Sequence, residues 1–222
     1  HYLEAWHAQN LTEIHPKQHH MPIGLDYHTL TGQGTHPWGR FQVPTAQERA
    51  LIAAARAAPP PAERSPRGYC NWHFAQERGT RRQCLERIDR KAVFFEPAPV
   101  PRAQSWASNA GMLFTISPTG GGTDCHRTWE ALALGTIAVV DRSELSALFT
   151  GLPVIEVEDW GEVTADFLNA RAEVMLQREY DFAPLFLGYW RRRTAGRPAP
   201  PLRMGLPEFV AGGVEKARQL YA

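Results

Sequence analysis

The chain has 222 residues, enough for one large domain or for one domain and part of another, and its 43% hydrophobic content can fill a packed core. With 24 Lys plus Arg against 23 Asp plus Glu, no excess of positive charge marks a nucleic-acid binder. Cys70, Cys84 and Cys125 form no Cys-x-x-Cys pair, which excludes a disulfide framework or zinc-ribbon reading and makes a reducing compartment the simplest setting.

From His1 to about Leu30 the chain carries Trp6, Gln9-Asn10, His15-Pro16 and Met21-Pro22-Ile23-Gly24-Leu25-Asp26, the pattern of the end of an αβ unit followed by a loop. His15, His19, His20, His28 and Asp26 gather there without a standard zinc spacing, and no metal is expected. One such group facing a cleft would suit a general base for an acceptor hydroxyl, and Asp26 and His28 are the candidates. Thr31 to Gly39 is turn-rich, with Gly32, Gly34 and Pro37. Thr45-Ala46-Gln47-Glu48 spells a capping box, predicting a helix to about Ala57, and Pro59-Pro60-Pro61 ends it and opens a stiff linker through Pro66.

Strands and helices then alternate. Strands are predicted over Tyr69–Phe74, Ala92–Phe95, Met112–Ile116, Ile137–Val140 and Val154–Val157. Helices are predicted over Arg81–Asp89, Gln104–Asn109, from Asp124 to a cap at Gly135, over Ser143–Phe149 and from Val163 to about Arg178. Short apolar strands joined by helices imply an α/β fold, a parallel sheet covered on both faces, with ligands bound beyond the carboxyl ends of the strands. The tail, from Tyr180, holds an aromatic run to Trp190, Arg191-Arg192-Arg193, a Pro-rich loop and a helix from Pro207, and is expected to pack back across the cleft.

The segment from Phe114 to Asp141 carries the chemistry. A strand stops at Ser117-Pro118, Gly120, Gly121 and Gly122 offer a turn able to adopt φ > 0 and to bring backbone N–H groups close to a phosphate, and a helix follows. His126, Arg127 and Glu130 cluster on its first turns, with Arg127 and Glu130 on one face. The plain alternative for that pair is a surface ion pair worth a few tenths of a kcal/mol. Asp124 suits an N-cap or an acceptor for a sugar hydroxyl. Asn71 and His73 sit late in their strand, where they either reach the same cleft or face solvent on an edge. Arg78, Arg81 and Arg82 follow at a helix start, a suitable place for a diphosphate contact.

Arg127-Thr128-Trp129-Glu130-Ala131-Leu132, followed by Gly135 and a β-branched strand, resembles the donor-binding signature of exostosin-like glycosyltransferases of the two-domain GT-B architecture, most clearly over Arg67 to Leu176. The resemblance implies that Glu130 holds the ribose of a nucleotide-sugar and Arg127 its phosphates, and it favours Arg82, three before Leu85, among the neighbouring arginines. It implies a Rossmann-like donor half over 67–178, preceded by a remnant of the acceptor-side half over 1–66 and followed by C-terminal helices over 179–222. Gly122 stands eight positions before Glu130, where the retaining branch has a glutamate, so the stereochemical outcome stays open.

The expected activity is therefore transfer of a sugar from a nucleotide-sugar donor to a glycan or other hydroxyl acceptor, with no cofactor and no nucleic-acid partner. The alternative is a non-catalytic nucleotide or sugar-phosphate binding module, and a hydrolase or epimerase of the same architecture would need a further acid–base pair. No apolar run reaches spanning length and no secretory leader is seen, so the cytoplasm is the expected location, or the Golgi lumen should an anchor precede His1. A first domain missing upstream is also expected.

Overall fold

The computed structural model describes residues 2–13, 15–32 and 36–221. Its centre is a five-stranded sheet of β3 (Ser65–Cys70), β4 (Val93–Phe95), β5 (Met112–Ser117), β6 (Ile137–Asp141) and β7 (Val154–Val157). The strand order is β4-β3-β5-β6-β7 and every pairing is parallel. Helices α2 (Arg81–Arg87), α3 (Arg102–Ala110), α4 (His126–Ala133), α5 (Ser146–Phe149) and α6 (Ala165–Met175) flank these strands. The fold is α/β and Rossmann-like. After β4 the chain crosses back over β3 to lay down β5, so the direction of winding reverses between β3 and β5, and a crevice opens at their carboxyl ends.

Strand alternation decides which residues meet which layer. Ile137 and Val139 join a large core with Phe114, Leu168, Met175, Phe182 and Phe209, while Ala138 and Val140 face Trp129, Leu132, Leu148 and Phe149 on the other side. Each such aromatic or branched side chain contributes about 1.5–3 kcal/mol by leaving water. β3 approaches β5 closely enough that a Cβ on Gly68 would lie 2.4 Å from Ile116 Cδ1. Gly135, at φ +70°, ends α4 in the left-handed conformation, as its place after the helix predicts.

Several local expectations are corrected. The first sheet strand begins at Ser65, so Pro66 lies inside β3 and not in a linker; beyond Cys70 the chain turns, with Ala75 N–H bonded to Trp72 O and the Trp72 indole N–H donating to Ile116 O at 2.7 Å. The capping box at Thr45–Glu48 does not form. Helix α1 (Pro44–Ala57) starts earlier because Pro44 presets the first helical φ, and Gln47 turns away to donate to the Tyr27 and Gln42 carbonyls. Before α1 the described residues form β1 (Trp6–Ala8) and β2 (Gln18–His20), a short parallel pair, in place of the end of an αβ unit. Gly34 of the turn-rich stretch lies outside the described residues.

The tail forms β8 (Glu179–Asp181), α7 (Leu187–Thr194), β9 (Arg203–Gly205) and α8 (Leu206–Leu220), with β8 and β9 antiparallel. It packs on a sheet face, stacking Phe182 on Phe209 at 3.9 Å between ring centroids, and no described residue beyond Glu130 lines the crevice. The expected return across the cleft is thus not what the tail does: its apolar side chains supply the cover that the sheet needs. No described helix is long and apolar enough to cross a membrane.

Candidate functional site

A cleft of about 570 Å³ occupies the crevice at the ends of β3 and β5. One wall is cationic. Arg127, in the first turn of α4, donates from Nε to Ser117 Oγ at 3.1 Å and from Nη2 to the Pro118 carbonyl, with its guanidinium 5.5 Å from the centroid of Trp72. Arg81, at the start of α2, lies 6.0 Å from the same ring and donates to Ala75 O at 2.9 Å. Burial and the proximity of Arg127 lower the Arg81 guanidinium to about 10, still charged at neutral pH. Neither arginine has a carboxylate partner among the described residues. Two crowded cations without a counterion form a wall that an anion would stabilise.

The surface ion pair between Arg127 and Glu130 does not form. Glu130 points to the other wall, where the nearest cation is Arg102, 4.0 Å away, and its side chain is 17% exposed. Burial pushes its carboxyl up to about 7, against the opposing pull of Arg102 and the Trp106 indole. The Trp106 N–H is itself buried and outside hydrogen-bonding geometry with any described atom. Arg102, 5% exposed, is committed more firmly to Asp26: Nη2 reaches Asp26 Oδ2 at 2.8 Å, and Nη1 reaches the Asp26 carbonyl and, at 2.7 Å, Gln47 Oε1.

Asp26 is saturated. Thr29 N–H and Oγ–H donate to its two oxygens at 3.0 and 2.7 Å, and His28 Nδ1 lies 3.1 Å from Oδ1. Burial alone would raise this carboxyl, but the Thr29 bonds and Arg102 outweigh it and hold Asp26 below its ordinary value. Of the two base candidates, His28 is therefore the one with a ring edge left at the cleft mouth, its Nδ1 beside Asp26 and its side chain 75% exposed. His126 stands beside it, 5.3 Å between ring centroids, with Nδ1 on the Gly24 carbonyl at 2.7 Å.

Asp26, His28 and His126 each offer one ligand atom within 4.8 Å of the others, a grouping that no sequence spacing announced. Ligand atoms about 2.0–2.2 Å from a zinc ion stand roughly 3.4 Å apart. The carboxylate in this group is already taken by Thr29 and Arg102, so the donor set fits an Asp–His pair better than a metal cage.

The remaining sequence candidates divide. Asn71, Gly120, Gly121, Gly122, Asp124, His126, Arg127 and Glu130 line the cleft, with Asn71 Nδ2 donating to Ser105 Oγ at 2.6 Å. Arg82 does not: it is exposed and pairs with Glu77 at 2.6 Å, because one residue along α2 turns the side chain about 100° from Arg81. Ser117 is buried beneath the wall and spends its hydroxyl on Thr128, at 2.8 Å, and Arg127. Asp124 is neither N-cap nor free acceptor; Cys125 is the N-cap, and the Asp124 oxygens accept from Ile23 N at 2.6 Å and Trp129 Nε1 at 2.7 Å, tying the early loop to α4.

The glycine turn differs from expectation too. Gly120, Gly121 and Gly122 are not among the residues with positive φ, and the amides of Gly120 and Asp124 bond within the protein, to Gly122 O and Asn10 Oδ1. Space is tight at Gly122, where a Cβ would lie 2.8 Å from Asn10 Oδ1, whereas a Cβ on Gly121 would meet nothing within 4 Å. Sequence reasoning named Arg81 among three neighbouring arginines but favoured Arg82, and it missed Arg102, Trp72 and Trp106. Arg102 had one available signal, since a cation as the first residue of a helix opposes the helix dipole and calls for another partner.

No protein-family model matches this chain, and no curated protein is significantly similar to it.

Proposed function

We propose that the cleft is the donor site of a glycosyltransferase, with a nucleotide-sugar as donor and a hydroxyl group, of a glycan or another molecule, as acceptor. The observation that carries the reading is the pairing, at the switch point of a parallel sheet, of a carboxylate free to accept hydroxyl donors with two arginines that lack counterions among the described residues. Glu130 suits the ribose hydroxyls, which are donors a carboxylate can accept two at a time. Arg127 and Arg81 suit the diphosphate, and stabilising that leaving group lowers the barrier to breaking the sugar–phosphate bond. His28, oriented by Asp26, takes the proton of the attacking hydroxyl. The likeness of the Arg127–Leu132 segment to exostosin-like enzymes supports the same assignment.

A thermal-shift screen of UDP, GDP, the matching nucleosides and free sugars tests it, since a ligand of the folded state stabilises by about 2.7 kcal/mol at a hundredfold excess over Kd. Stabilisation by a diphosphate and not by free sugars is the expected result; no stabilisation by any nucleotide refutes it. Donor turnover that His28→Ala abolishes while binding survives separates a transferase from a binding module.

A further inference from the structure

Arg102 joins four segments that are remote in sequence. Its own amide donates to Trp38 O at 2.9 Å, its guanidinium lies 4.6 Å from the Trp38 ring and 5.5 Å from Trp106, its fork holds Gln47 of α1 and Asp26 of the early loop, and its charge stands 4.0 Å from Glu130 of α4 without a hydrogen bond. We infer that Arg102 is a positioning residue shared by both halves of the site: one buried guanidinium fixes Asp26, and through it the His28 ring, while its remaining charge faces Glu130, so the donor carboxylate and the acceptor base are coupled through a single cation. This rests on the donor-site reading above.

A merely structural arginine would be satisfied by Asp26 and Gln47 and would leave Glu130 to titrate by itself. Among the described residues Glu130 has no closer ionic partner, and the charged or titratable groups around it are Arg102 from α3, Asp26 and Tyr27 from the early loop and Arg127 from its own helix, with the Trp106 N–H beside them. Asp26 and Glu130 therefore compete for the same charge. Whatever strengthens the hold of Arg102 on one loosens it on the other.

The test is a carbon-13 titration of side-chain carboxyls in protein labelled at Asp and Glu, with Glu130 assigned by the signal lost in Glu130→Gln. In the wild-type protein the Asp26 signal should show a second inflection at the Glu130 midpoint that is absent from Glu130→Gln, where His28 and His126 still stand beside Asp26. In Arg102→Gln the Glu130 midpoint should rise by roughly 1–3 pH units, the usual effect of losing an opposite charge at this range, and in Asp26→Asn it should fall. A single-step Asp26 curve together with an unmoved Glu130 midpoint in whichever variant folds overturns the coupling. Because the comparison of wild type with Glu130→Gln needs no change at Arg102, a failure of Arg102→Gln to fold leaves the test intact. Adding UDP or GDP should draw the Glu130 midpoint down, because ribose hydroxyls stabilise the ionised form. Absence of any nucleotide effect refutes the donor site, while the ligand-free curves still decide the role of Arg102.

Discussion

Replacing Glu130 by Gln should stabilise the free protein at alkaline pH while removing the feature that holds ligand. Burial raises this carboxyl from 4.5 to about 7, so the folded state keeps a proton that the unfolded chain has already released. A raised carboxyl leaves stability intact below the unfolded value and erodes it as pH rises between the two values. Above about 7 the loss is complete. A shift of that size corresponds to roughly 3 kcal/mol, and since the cleft admits some water this is an upper bound. Denaturant unfolding of wild type and Glu130→Gln at about pH 5 and about pH 8 isolates the effect, because titrations uncoupled from Glu130 cancel in the difference. The Gln variant should gain about 2–3 kcal/mol relative to wild type between the two conditions. The same variant should bind nucleoside diphosphate about ten- to a hundredfold more weakly, having exchanged a charged acceptor for a neutral amide. Parallel pH profiles for the two proteins would refute the account of a buried carboxylate kept for binding.

Other substitutions separate the parts of the cleft. Arg127→Lys keeps the charge but loses the fork that spans Ser117 Oγ and Pro118 O, so calorimetry should show diphosphate affinity falling at least about tenfold while nucleoside affinity holds; equal losses would remove the phosphate role. Arg81→Ala should weaken diphosphate binding by a similar factor and Arg82→Ala should leave it unchanged, since only the former faces Trp72 and the cleft; the reverse order would contradict the observed geometry. Gly68→Ala should cost about 1–3 kcal/mol in urea unfolding, because the added Cβ meets Ile116 at 2.4 Å inside the sheet; a neutral result would mean that β3 can move away from β5.

The sequence by itself determined the kind of fold. Continuous apolar strands such as Ile137–Val140 and Val154–Val157, separated by helical periods, can be buried only as a parallel sheet with two covered faces, and these are local patterns that any window of the chain displays. It also placed Arg127 and Glu130 one turn apart beside a glycine turn, at the sheet edge where ligands bind.

What each of those side chains touches was decided by tertiary structure. Arg127 and Glu130 share a helix face yet turn to opposite walls, because Trp72 crosses from β3 to cap one and Arg102 arrives from α3 to meet the other. Asp26 reads in sequence as a free carboxylate and becomes a saturated one only when Arg102, 76 residues further on, is folded against it. Arg81 and Arg82 are indistinguishable as letters; the angle between successive helical positions sends one into the cleft and the other to Glu77 in solvent. Periodicity is a property of neighbours in the chain and survives in the sequence. The charge state and free lone pairs of a site depend on residues brought together across long separations, and only the folded arrangement supplies them.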